Sequence, residues 1–255
     1  MDFVASEPAL NSEVGIRDSA SSPGRWNDED FVRVWDKHPS NSLKLEQLDI
    51  LAAVISQNWR KGARILDLGC GTGKVEERIL ERLPVARFVC VDRSEMMLKF
   101  AQRRLAAHSQ QCRFVRADLS RFDRIELPGR PFRFVVLVDV VHELTDPAKR
   151  KLLRFCRKNL MPDGMVLFVD RIALDLKQLG RAHAAVLRRL QRRTGVRTGQ
   201  FSGCFADSRH REHEYPLALE PYLRLFRTCG LAPAVLHLHF HKALFAARPV
   251  TYSKR

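Results

Sequence analysis

The stretch Ile65-Leu66-Asp67-Leu68-Gly69-Cys70-Gly71-Thr72-Gly73 constrains this chain more than any other. An apolar run ends in a carboxylate, three glycines alternate with small residues, and Lys74-Val75-Glu76-Glu77 opens a helical pattern. That order reads as strand, tight loop and helix. Glycine lets the backbone turn sharply and approach a ligand closely, because no Cβ intervenes. The helix N-terminus beyond the loop offers free N–H groups and a partial positive charge to an anionic group. The segment is a ligand-binding loop.

Two nucleotide-phosphate readings fail on spacing. A dinucleotide fingerprint, G-x-G-x-x-G, would need its last glycine where Lys74 stands. A phosphate-cradling P-loop would need a glycine at Leu68 and a hydroxyl at Val75. The pattern that remains, D-x-G-x-G-x-G, resembles motif I of the class I S-adenosylmethionine-dependent methyltransferases. A second buried run, Phe88-Val89-Cys90-Val91, ends at Asp92. A carboxylate about 20 residues past a glycine loop, at the tip of the neighbouring strand, suits hydrogen bonding to ribose hydroxyls. Asp92-Arg93-Ser94-Glu95-Met96-Met97-Leu98 is similar to the D-x-S-x-x-M-L of that family, and a third run, Cys112 to Ala117, ends at Asp118-Leu119, where the family contacts adenine. The resemblance covers roughly residues 43–250. It implies S-adenosyl-L-methionine as cofactor, held by Asp67, Gly69, Cys70, Gly71, Gly73, Asp92, Arg93, Met97, Asp118, Leu119 and Asp139.

The rest of the chain suits the same architecture. The implied fold is α/β: a Rossmann-like, seven-stranded, mostly parallel sheet with a terminal antiparallel hairpin, an N-terminal helical cap and a helical lid insertion. Strands are expected at 63–68, 87–92, 112–117, 134–138 and 165–169. Helices are expected at 74–83, 94–107 and 147–160, with Met161–Gly164 as a turn. Such alternation gives parallel strands, right-handed crossovers and ligands at the carboxyl ends of the strands. Residues 1–25 read as a flexible tail, 26–60 as the cap and 61–255 as the cofactor-binding domain. The lid at 172–216 interrupts that domain, and a helix at 217–228 leads into the hairpin at 235–238 and 242–246.

Charge and cysteines bound the setting. The net charge is +15, and eight arginines between residues 181 and 211 face one acid, Asp207. Such a stretch attracts phosphates or an acidic substrate, yet a solvated arginine-rich helix face explains it with less assumption. No apolar run approaches the ~20 residues that span a bilayer. The N-terminus has no basic-then-apolar signal pattern, and the six cysteines form no C-x-x-C pair. A reducing cytoplasm is the expected location.

Methyl transfer from a sulfonium is an in-line displacement in which orientation supplies much of the rate. A base matters only when the acceptor must lose a proton. Asp139-Val140-Val141-His142-Glu143 follows the fourth strand, and His142 is the candidate base, with a pKa suited to proton removal near neutrality. Asp139 lacks the D/N-P-P-Y/F continuation of amide and base-amine methylation, which disfavours that chemistry. His213 and Tyr215 are the candidate acceptor contacts, and no metal is expected from His210, His213, His237, His239 or His241. The leading expectation is methyl transfer to an O, N or C atom of a small molecule. Two alternatives remain: non-methylating sulfonium chemistry on the same fold, and an RNA methyltransferase using the 181–211 stretch.

Overall fold

A computed structural model describes residues 23–37, 42–121, 125, 127–174 and 214–250, with isolated helical residues between 182 and 193. Residues 1–22 of the expected tail, most of the expected lid and His213 lie outside the described residues, while the last three tail residues belong to a 3-10 turn. After a 3-10 turn at Pro23–Asn27, the chain forms α1 (Glu29–Lys37) and α2 (Ser42–Gln57). Alternation follows: β1 (Ile65–Leu68), α3 (Lys74–Arg82), β2 (Phe88–Asp92), α4 (Glu95–Arg104) and β3 (Cys112–Arg116). Then come β4 (Phe132–Val138), α5 (Asp146–Asn159), β5 (Leu160–Arg171), α6 (Leu219–Thr228), β6 (Leu231–His239) and β7 (Lys242–Pro249).

The seven strands lie in the order β3-β2-β1-β4-β5-β7-β6. β1 to β5 pair in parallel, and β7 runs antiparallel to both neighbours. The expected sheet and its terminal hairpin are present. Strand side chains alternate between faces, and both faces are covered, so the central strands read as continuous apolar runs rather than alternating ones. Leu66, Leu68, Val135, Leu137 and Phe168 pack with α5 and α6 on one side. Ile65, Phe88, Phe134, Val136 and Leu167 pack with α2 and α3 on the other. Phe168 sits among Tyr222, Phe226 and Phe245 with ring centroids 5.2, 5.6 and 5.4 Å away.

One expectation is corrected. Met161–Gly164 does not end one element and begin another; it bulges within β5. Phe132 pairs with Leu160 and Phe134 with Met165, so two steps along β4 match five along β5 and the residues between are extruded. Among the described residues no helix is long and apolar enough to cross a membrane.

Candidate active site

The sheet order places β1 beside β4 while their crossovers leave in opposite directions, which opens a crevice at the carboxyl ends of those strands. A cleft enclosing about 1050 Å³, its open mouth included, lies there. Its floor is the glycine loop. Gly69 has φ +87°, and a Cβ on it would stand 2.3 Å from Val140 Cγ2, so only glycine fits against the chain leaving β4. Gly73 has φ +82° as the residue before α3, and a Cβ there would press on Ala101 Cα and Leu105 Cδ1 at 3.2 and 3.1 Å. It joins the loop to α4 without lining the cleft.

The acids at successive strand ends take different places. Asp92 lines the cleft; its Oδ2 accepts from the Gly71 N–H and its Oδ1 from the Ser94 N–H, each at 2.9 Å. Burial raises its carboxyl above the ordinary value. The two backbone donors fix its plane and leave further lone pairs for a vicinal diol. Ser94 caps α4 by accepting from Met97 N–H at 3.0 Å, which sets Arg93 and Met97 on the same wall. Asp118 and Leu119 line the far end, with Asp118 Oδ1 bonded to Ser120 N–H at 2.8 Å. Cys70 lines the floor with its thiol buried. Asp67 is 1% exposed and lies off the cleft.

Asp139 lines the cleft in a left-handed conformation, φ 56°. Lys44 from α2 meets its Oδ2 at 2.7 Å, and Lys242 from β7 meets its Oδ1. Burial opposes ionisation of Asp139, and the charges of Lys242, Lys44 and Arg171 overcome it, so its carboxyl titrates well below the ordinary value. Both oxygens are therefore committed to lysines. His142 is 3% exposed and its ring is not part of the cleft wall, whereas its neighbours Val140, Glu143 and Leu144 are. Its Nδ1 stands 2.5 Å from Asp170 Oδ1, and its N–H donates to Asp170 Oδ2 at 2.9 Å. Tyr215 is 44% exposed; its N–H donates to the His142 carbonyl and its own carbonyl accepts from buried Lys149. Tyr215 thus lies beside His142.

Several wall residues were not singled out from sequence. Trp26 and Trp35 roof the cleft in edge contact at 5.8 Å, with the Trp35 ring 4.0 Å from where a Gly71 Cβ would lie. Trp26 O accepts from the Ser94 hydroxyl, and Asn27 Oδ1 accepts from Glu95 N–H at 3.2 Å. Arg104 ties the roof to the floor: Nε donates to Thr72 O at 2.9 Å and Nη2 to both Asp36 oxygens at 2.9 and 3.0 Å. Two tryptophans in a polar segment were the available signal. Glu143, given no role from sequence, also lines the cleft 3.8 Å from Arg93, and burial raises its carboxyl.

These features fit S-adenosylmethionine: a cleft-facing carboxylate held by two backbone N–H groups, a loop only glycine can form and a roofed cleft ending at Asp118. Among the described residues no cluster of metal-binding side chains occurs. Residues 65–164 match a family described as a methyltransferase domain. The chain is 30% identical over 127 residues to a malonyl-[acyl-carrier protein] O-methyltransferase of Halalkalibacterium halodurans, covering 46% of each protein. It is 27% identical over 155 residues to a carboxy-S-adenosyl-L-methionine synthase of Campylobacter hominis, covering 60% of this chain and 64% of that one. The alignments thus span less than two thirds of either relative. In fold it is similar to an O-methyltransferase family protein from Burkholderia thailandensis, with TM-score 0.58, 18% identity and coverage of 81% and 56%. Fold, glycine loop and matched region together make residues 65–164 a methyltransferase domain of the class I, S-adenosylmethionine-dependent type.

Proposed function

We propose that the protein transfers the methyl group of S-adenosylmethionine to a small-molecule acceptor, with a hydroxyl oxygen as the favoured atom. The observation that carries the reading is Asp92, oriented by two backbone N–H groups at the tip of β2 and facing the cleft. In this reading Asp92 binds the ribose diol, Asp118 and Leu119 bound the adenine, and the glycine loop admits the methionine portion. When bound, the cofactor supplies an electrophilic methyl on a sulfonium.

An oxygen acceptor is favoured by the His142–Asp170 pair. Asp170 is fully buried and engages Nδ1, an arrangement that leaves Nε2 as the acceptor of a hydroxyl proton. The acceptor would enter near Ala173, Leu174 and Glu214, and Tyr215 would border it. The test is calorimetric titration with S-adenosylmethionine and S-adenosylhomocysteine beside an Asp92→Ala variant. Loss of a charge-assisted hydrogen-bonding group costs about 1.5–3 kcal/mol, so the variant should bind at least about tenfold more weakly. Wild-type protein that binds neither ligand would overturn the reading.

Similarity to a carboxy-S-adenosyl-L-methionine synthase favours a second reading, sulfonium chemistry without methyl transfer. Product analysis separates the two, because methyl transfer leaves S-adenosylhomocysteine. The RNA reading rests on the 181–211 stretch and predicts binding with a steep salt dependence.

A further inference from the structure

Behind the glycine loop lies a group of buried polar atoms that the proposed reaction does not use. Asp67, on β1, is 1% exposed, and Glu76, in the first turn of α3, is 0% exposed. None of their four carboxyl oxygens has a hydrogen bond of normal geometry, nor has the buried hydroxyl of Thr72, which lines the cleft. Leaving such groups buried and unpaired is costly unless a carboxyl is held neutral. The two are close enough that each shifts the titration of the other. Burial, then the neighbouring Glu76, pushes Asp67 well up, and burial pushes Glu76 up to about 7.

The titratable groups packed against the pair are acids and thiols. Asp92 and Cys90 face the pair from β2 and Cys70 faces it from the loop, while Cys112 on β3 touches Cys90. The basic groups of the adjacent helices are engaged elsewhere: Lys74 with Asp36, Arg78 with Asp49 and Glu81, Arg104 with Glu77 and Asp36. On α2, Asp49 meets Arg78 and Lys44 meets Asp139. Among the described residues no ion pair involves Asp67 or Glu76. A sulfonium ligand in the cleft would add a positive charge on the other side of the loop, where Lys44, Lys74 and Arg93 already stand.

We propose that Asp67 and Glu76 form an acid pair that senses the charge of the bound cofactor, releasing a proton when the sulfonium is present and retaining it with the uncharged thioether product. The inference rests on the S-adenosylmethionine reading of the cleft. The methyl donor carries one positive charge more than S-adenosylhomocysteine, and a charge held near a low-dielectric site favours ionisation of a neighbouring carboxyl. One carboxyl O–H bond breaks, the proton passes to the buffer, and the carboxylate left behind attracts the sulfonium. Glu76 is a positioning residue here, acting on the ligand through the loop. The pair favours substrate over product, and increasingly so as pH rises.

The test is calorimetry of both ligands near pH 7 in two buffers of different ionisation enthalpy, repeated across pH 6–8. Wild-type protein should release a net proton with S-adenosylmethionine and close to none with S-adenosylhomocysteine. The ratio of the two affinities should rise with pH, by at most about tenfold per unit. In Glu76→Gln the ratio should flatten; the variant also subtracts titration of the ligands' own amino groups. Equal proton release with both wild-type titrations, or a ratio independent of pH, would overturn the inference while leaving the cofactor assignment standing. Binding of neither ligand would overturn both. The wild-type measurement decides the matter even if the variant fails to fold.

Discussion

His142 and Glu143 stand side by side after β4 with different surroundings, and those surroundings divide their roles. The histidine turns to a buried carboxylate; the glutamate turns to the cleft and to Arg93. With His142 as the base, His142→Ala should lower kcat by about 10²–10⁴-fold while cofactor affinity stays within twofold. Asp170→Asn should lower it as well, by misorienting the ring. Glu143→Gln should leave most of the rate. Single-turnover methylation at saturating cofactor is the measurement, and the reverse ranking would make Glu143 the base. At this scale the sequence was informative where spacing alone fixes position. Asp92 follows a buried run and Asp118 an edge strand, and strand ends place both. Glu76 was harder. It lies beside Val75, Ile79 and Leu80 on the buried face of α3, but a glutamate in a charged helix start reads as solvent-facing until its burial is seen.

Among the elements, the roof formed by residues 23–37 is held by a few long-range contacts. Arg104 of α4 reaches the Thr72 carbonyl, Glu77 and Asp36, and so spans loop, α3 and α1 with a single guanidinium. Arg104→Ala should weaken cofactor binding severalfold, chiefly through faster dissociation. Tryptophan fluorescence should show it, because Trp26 and Trp35 face the cleft. Stopped-flow displacement gives the rate, and an unchanged rate would mean that the roof closes without this tether. Helical periodicity made α1 and α2 legible. Their docking was not, because it depends on partners such as Asp36 and Arg104 that lie 68 residues apart. The β5 bulge was hidden for a similar reason: Pro162-Asp163-Gly164 has turn chemistry, and only pairing with β4 shows that the strand continues through it.

For the whole molecule, the acid pair has a consequence for stability without cofactor. A carboxyl whose folded value lies above its unfolded one binds its proton more tightly in the native state. Its contribution is therefore full below about 4.5, the ordinary value of Glu76, and is lost as pH rises to about 7. The slope is at most about 1.4 kcal/mol per pH unit for one proton. Thermal unfolding of the apo protein should show wild type losing stability relative to Glu76→Gln between pH 4.5 and 7. A constant difference across that range would mean that Glu76 is ionised throughout. The architecture itself was legible almost in full, since repeated strand–helix alternation with one terminal hairpin leaves few topologies open. The sheet order also divides the chain's coding. Residues 65–119 supply the glycine loop, Asp92 and Asp118 from one half of the sheet, and the chain crosses to the other half only at β4. In the proposed reading, donor recognition is written before residue 120 and most acceptor recognition after residue 138. Selection can therefore rewrite the second passage for a new acceptor while the first, with its methyl donor, is inherited unchanged.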